Sequence, residues 1–257
     1  MSGGSYENLK NCFEPTLKWA VVEVVCYLVT NGIMRLMGFK EGLRLQRLAG
    51  YCGLYPIFAL MVYYAHLGVM DTFRLGPEAR AFENSDNGET FMYLYLSSNI
   101  VAAAGQIQTE KGALLWQLMG HHALSLICFG AGFWFDRFRF WSVFAGCCEM
   151  TNLFLVPVFA AKEMPHIKEQ TWYKINGVFL WVTFVTHRFV MFPIWLYVWY
   201  SDMKELNVGN MHPLEKFGYP FTIAALFVLS GIWFIRIHKG VVEGLWGKKV
   251  MGDKKRK

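Results

Sequence analysis

Seven stretches of this chain stay apolar for about as long as it takes to cross a bilayer, which limits the fold more than any other feature. A span needs about 20 mostly apolar residues to cross a hydrocarbon core of roughly 30 Å. The stretches run over 17–37, 48–70, 91–108, 113–135, 139–161, 175–200 and 217–237. In lipid every backbone N–H and C=O must find its partner inside the protein, so such runs predict helices. The expected fold is an all-α integral membrane bundle of about seven transmembrane helices. The third run, FMYLYLSSNIVAAAGQIQ, is the weakest, being short and dotted with polar residues. Pro157 and Pro193 fall inside the fifth and sixth runs, where neighbouring helices can satisfy the carbonyls they free.

Composition agrees: 54% of residues are hydrophobic, 17% aromatic and only 17% charged. The net charge of +6 would suit a nucleic-acid partner, but Lys and Arg gather in short loops and the tail rather than on one basic surface. Nucleic acid is therefore excluded. Of the six cysteines, Cys26, Cys52, Cys128, Cys147 and Cys148 lie inside apolar runs and none forms a CxxC pair. Neither a disulfide framework nor a zinc ribbon is implied. The opening MSGGSYENLKNCFEPTL lacks the charged start and early apolar core of a cleaved signal, so the first run reads as an uncleaved anchor. The many Phe, Trp and Tyr residues read mostly as lipid-facing or interfacial anchors.

Orientation follows from the basic residues. With the amino terminus outside the cytosol, the cytosolic side holds Lys40, Arg44, Arg47, Lys111, Lys162, Lys168, Lys174 and eight residues from Arg236 onward, fifteen in all. The opposite side holds eight, among them Arg74, Arg80, Arg137 and Arg139. Seven spans with a cytosolic carboxyl terminus fit that count. The tail ends GDKKRK, placing Lys254 and Lys255 at the spacing of a dilysine signal for retrieval to the endoplasmic reticulum. The alternative is a polybasic segment drawn to anionic lipid, worth about 1 kcal/mol per cation.

Several spans put ionisable groups at one depth. His121 and His122 lie about nine residues into the run GALLWQLMGHHALSLICFGAGFWF, near the midplane at roughly 1.5 Å per residue. Glu149 and Asn152 occupy the same level in the fifth run, and His187 and Arg188 in the sixth. A central charge costs about 2.5–3.5 kcal/mol on insertion scales, so such groups face one another or a wet cavity. His121 and Ser125 share a helical face, as do Glu149 and Asn152. A Glu149–Arg188 pair would neutralise both charges, and a histidine beside it could move a proton. The bland reading is that these side chains are interhelical glue. A metal site of His121, His122 and Glu149 is disfavoured, because adjacent histidines point about 100° apart on a helix.

The segment HHALSLICFGAGFWFDRFRFWSVFAGCCEMTN resembles the TLC-domain family of multi-span membrane proteins, which includes the ceramide synthases. The ceramide synthase signature has a His pair, a Thr three residues on, an Arg, then His-Asp and a second Asp. Here His121 and His122 match the pair, Ser125 stands for the Thr and Arg139 falls on the Arg. Cys148-Glu149 stands at the His-Asp and Asn152 at the last Asp. Asn cannot act as a base, so the acidic pair is reduced to one acid. The Glu-x-x-Asn form, VTFVTHRFVMFPIWLY with Arg188, and IWFIRIHKG all resemble the TLC domain-containing branch.

The resemblance covers about 45–240 and implies a six-span TLC domain, preceded by a non-cytosolic segment over 1–16 and an added span and loop over 17–44, and followed by a basic cytosolic tail over 241–257. Its implied role is lipid handling in the endoplasmic reticulum membrane, with membrane lipids or acyl chains as partners and no metal or cofactor. In that role Ser125, Asn152, His187 and Arg188 would contact lipid. The alternative is a ceramide synthase-like N-acyltransferase, with acyl-CoA as substrate, His121 or His122 as general base and Glu149 orienting it.

Overall fold

The computed structural model describes residues 2–206 and 211–246, and every regular element among them is helical. In chain order the helices are α1 (Ser2–Leu36), α2 (Leu43–Phe73), a short α3 (Pro77–Phe82), α4 (Asp86–Thr109) and α5 (Gly112–Phe135). They continue with α6 (Arg139–Glu163) and α7 (Thr171–Leu206). The last, α8, opens with a π turn over Leu214–Gly218 and runs on through Tyr219–Trp246. Six of these are long and apolar enough to cross a membrane. The exception among the seven long helices is α4, the run whose sequence was weakest. The expected lead-in over residues 1–16 is, from Ser2 on, part of the same helix as the first span. Lys254 and Lys255 lie outside the described residues.

The polar residues of α4 explain both its poor hydropathy and its place. From Phe91 to Asn99 every residue except Tyr93 is buried, so this stretch of α4 is surrounded by protein, while Ile100 and Ile107 beyond it are exposed. Its first turn is capped by Ser85, whose hydroxyl accepts from the Gly88 N–H at 3.2 Å and donates to Asp71 at the end of α2 at 2.5 Å. Glycine lets the helices close on it. A Cβ on Gly68 of α2 would lie 2.7 Å from the Gly88 Cα, so no larger residue fits that crossing. At the far side of α2, Gly53 takes the backbone of α1 at Cys26 and Tyr27, about 3.1 Å from where its own Cβ would stand. Small residues at helix crossings are how a membrane bundle gains van der Waals contact, since lipid offers no hydrophobic drive between spans.

A subset of the aromatics forms the core instead of facing lipid. Trp141, Trp195, Phe91, Phe133, Phe138, Phe184 and Phe192 are fully buried rather than lipid-facing. Trp195 stacks on Trp199 at 5.4 Å, Trp141 meets both edge-on, and the Trp195 indole N–H donates to the Trp141 carbonyl at 2.9 Å. Rigid aromatic bodies fill the space between these helices. Others, such as Trp116, Tyr197 and Tyr200, do face outward.

Ion pairs close both mouths of the bundle. At one, Arg80 of α3 forks onto Asp202 of α7 at 2.6 and 2.7 Å, and Arg137 onto Glu215 of α8 at 2.6 and 2.5 Å. Arg139 there bonds Glu89 and, at 2.5 Å, Asp136. At the other, Arg47 of α2 reaches Glu110 at 3.2 Å and Glu163 at 3.4 Å.

Candidate functional site

Between these mouths, at mid-bundle, α6 and α7 both leave the α-helical pattern. α6 tightens to a 3₁₀ turn at Cys147–Glu149, just after Gly146, which sits so close to the Phe91 ring that a side chain there would overlap it. α7 widens to a π turn at Val185–Val190, shortly before Pro193. Proline removes a helical N–H and crowds the preceding turn, and wide turns of this kind recur at functional sites. One turn carries Glu149 and the other Arg188, each 4% exposed.

They do not form the expected ion pair. The Arg188 Nε and Nη2 donate to the Thr151 hydroxyl at 3.2 and 3.1 Å, and Nη1 donates to the Ser230 hydroxyl at 3.3 Å. Both hydroxyls spend their own protons on backbone carbonyls, Cys148 for Thr151 and Leu226 for Ser230, which leaves lone pairs facing the cation. The guanidinium also lies over Phe184, 5.1 Å from the ring centroid, and over Trp233 at 5.9 Å. Glu149 instead takes a bond from the Asn152 amide and a long one, 3.7 Å, from the Cys148 thiol. The carboxylate is thus satisfied within its own helix, three residues apart on one face, which is why it does not reach across to the arginine. Of the two buried arginines among the described residues, Arg139 has carboxylates in ion-pair reach and Arg188 has none.

The two histidines divide. His122 is held by α4: its Nδ1 is 2.7 Å from the Asn99 side-chain Oδ1 and its Nε2 3.0 Å from the Gln106 side-chain Oε1. The Asn99 nitrogen is committed to the Tyr95 carbonyl at 2.7 Å, so the proton in the first contact sits on Nδ1. Gln106 then completes the ring when its amide nitrogen faces Nε2. His121 turns the other way, edge-on to Trp233 at 6.3 Å, and its Nδ1 is buried with no hydrogen-bond partner. Trp233 therefore touches both His121 and Arg188 and joins them into one group.

The other residues expected at this level are placed apart. Ser125 accepts from the Tyr95 hydroxyl at 3.0 Å and borders a cavity of about 20 Å³ with Cys128, Phe129, Cys148, Trp195 and Tyr219. That is room for a water or two, not an acyl chain. His187 faces α2, its ring 5.7 Å from that of His66 and its Nδ1 2.8 Å from Thr186. Arg139 belongs to the ion pairs at the mouth. Among the described residues no group of three or more His, Cys, Asp or Glu side chains is arranged to hold a metal.

One residue escaped the sequence reading. Glu23 of α1, 0% exposed, accepts from Ser97 at 2.5 Å and Ser98 at 2.8 Å, and its second oxygen has no partner. The signal was available, since an acid inside the run WAVVEVVCYLV breaks the rule that ionisable groups are rare in spans.

Fold and site together define a multi-span membrane protein with a polar level inside its helical bundle. Residues 48–239 match the family model of the TLC domain, and the chain belongs to the TLC-domain family. It is also similar to a protein of Dictyostelium discoideum described as a methylsterol monooxygenase, at 26% identity over 104 residues. That match covers 37% of this chain and 38% of the relative, so the chain spans about two-fifths of the length of the curated protein it matches. No solved structure matches it.

Proposed function

We propose that this protein binds membrane lipid at mid-depth, the guanidinium of Arg188 receiving an anionic or carbonyl group of the lipid, and that it acts in lipid sensing or regulation of membrane lipid composition. The supporting observation is that Arg188 is buried in the span with no carboxylate in ion-pair reach, Glu149 on the facing turn being held by Asn152 instead. An unpaired cation in a low-dielectric setting costs several kcal/mol, and a phosphate, carboxylate or polarised carbonyl offsets that cost. His121, with a free ring nitrogen beside the same tryptophan, is the second polar contact. Residence in the endoplasmic reticulum, with the tail in the cytosol, is part of the proposal and rests on the positions of Lys254 and Lys255. Mass spectrometry of lipid retained by the purified protein tests it. Wild type should carry a defined lipid class that Arg188→Met loses, and equal retention by both would refute the reading.

A second reading is acyl transfer from acyl-CoA to a sphingoid base. The free Nδ1 of His121 favours it, because His122 is fastened on both sides and cannot serve as the general base. Ceramide formation that vanishes in His121→Ala but survives in Gln106→Ala would establish it. We expect no turnover.

A further inference from the structure

We propose that α1 is a separable cover over the seam between α4 and α5, keyed to the TLC bundle by the Glu23 carboxyl. The family match begins at residue 48, so α1 is an addition to that domain. It packs on α2, α4 and α5, and therefore lies over the line where α4 and α5 meet. Very little of α1 is buried: Cys12, Thr16 and Glu23 are its buried residues among those described, with Trp19 packed partly against the core. Cys12, Thr16 and Glu23 fall on one helical face at four- and seven-residue steps, and the rest of the helix is turned toward lipid.

Such a face holds through specificity rather than area. Glu23 takes both serine hydroxyls of α4 on one oxygen, and Gly53 admits the α1 backbone just beyond, at Cys26 and Tyr27. Neither half of the contact is stable alone. A carboxyl on a helix facing lipid is costly, and α4, too polar to count as an independent span, would present Ser97 and Ser98 to hydrocarbon if α1 left. The two helices cover each other's polar groups, so α1 can leave only by exposing both sets at once. Lifting α1 uncovers Ser97 and Ser98 of α4, the latter one residue before the Asn99 that bonds His122. This follows from packing and holds whatever Arg188 binds.

The test uses the full chain with a protease site placed in the connection between α1 and α2, where Leu36 is 90% and Met37 71% exposed. After cutting in detergent or nanodiscs, the α1 fragment of the wild type should stay with the bundle through gel filtration. Glu23→Leu costs nothing in lipid, takes the acceptor from Ser98 and leaves Ser97 the Leu94 carbonyl alone, so it should release α1 roughly tenfold faster or more, the scale of one or two strong hydrogen bonds. Glu23→Gln keeps an acceptor for both serines and should release α1 near the wild-type rate. Ser97→Ala with Ser98→Ala should behave like Glu23→Leu. If Glu23→Leu cannot be purified, the serine pair, which adds no volume, decides alone. Retention at the wild-type rate in the serine pair, or in Glu23→Leu, would overturn the proposal.

Discussion

Glu149 and Arg188 sit on facing irregular turns of α6 and α7, equally buried, and each is satisfied by neutral partners rather than by the other. That arrangement decides how they respond to mutation. The two still feel each other's charge across the facing turns, so a double-mutant cycle of Glu149→Gln and Arg188→Met should show a coupling of about 0.5–1 kcal/mol, short of the roughly 3–5 kcal/mol that breaking a buried ion pair costs. A rescue above roughly 1 kcal/mol in a double-mutant cycle would mean that the two are paired after all.

Arg188→Met should separate stability from binding. Removing an unpaired buried charge relieves a desolvation cost, so the apparent melting temperature in detergent should hold or rise. Bound lipid should fall about tenfold or more at the same time. A protein that simply unfolds on this substitution would place Arg188 among the structural residues.

The histidines should split in the same assay. His122→Ala leaves both Asn99 and Gln106 without their shared partner and should cost about 1–3 kcal/mol. His121→Ala breaks no hydrogen bond and should cost under about 1 kcal/mol. Thermal unfolding of the two purified variants, side by side, checks the order.

The closed mouth should be the stiffest part of the molecule. Asp202→Asn strands Arg80 and should cost about 3–5 kcal/mol, whereas Arg80→Met with Asp202→Leu should recover most of the loss. Gly68→Ala forces α2 off α4 and should cost about 1–3 kcal/mol, while Gly32→Ala, with nothing within 4 Å, should be neutral or slightly stabilising.

Topology is tested separately. A carboxyl-terminal tag should be accessible from the cytosol, and Lys254→Ser with Lys255→Ser should let the protein leave the endoplasmic reticulum. If the double variant stays, the tail is a lipid-binding polybasic segment.

The helices were legible because the bilayer imposes length and apolarity on each span separately, and both are local properties of sequence. Partner choice is not local. Glu149 and Arg188 share a depth, which the sequence revealed, but depth leaves the rotation of each helix open. The 3₁₀ and π turns set that rotation, and no spacing rule announces them. His187 shows the same limit from the other side: one residue from Arg188, it faces His66 on a different helix. Which aromatics leave the lipid face for the core was not legible, because hydropathy does not distinguish a ring against lipid from a ring against a ring.

The π turn of α7 also means that the chain carries one residue more there than an α-helix of the same reach requires. The surplus is stored in the bulge, so Phe184 before it and Phe192 after it both face the interior. Removing Thr186 should let the bulge close into an ordinary turn while both flanks keep their packing. What would be lost is the aim of the guanidinium between Thr151 and Ser230. Insertions and deletions at this one place are therefore a cheap route by which related chains can retune or discard the charged level without redesigning the bundle around it.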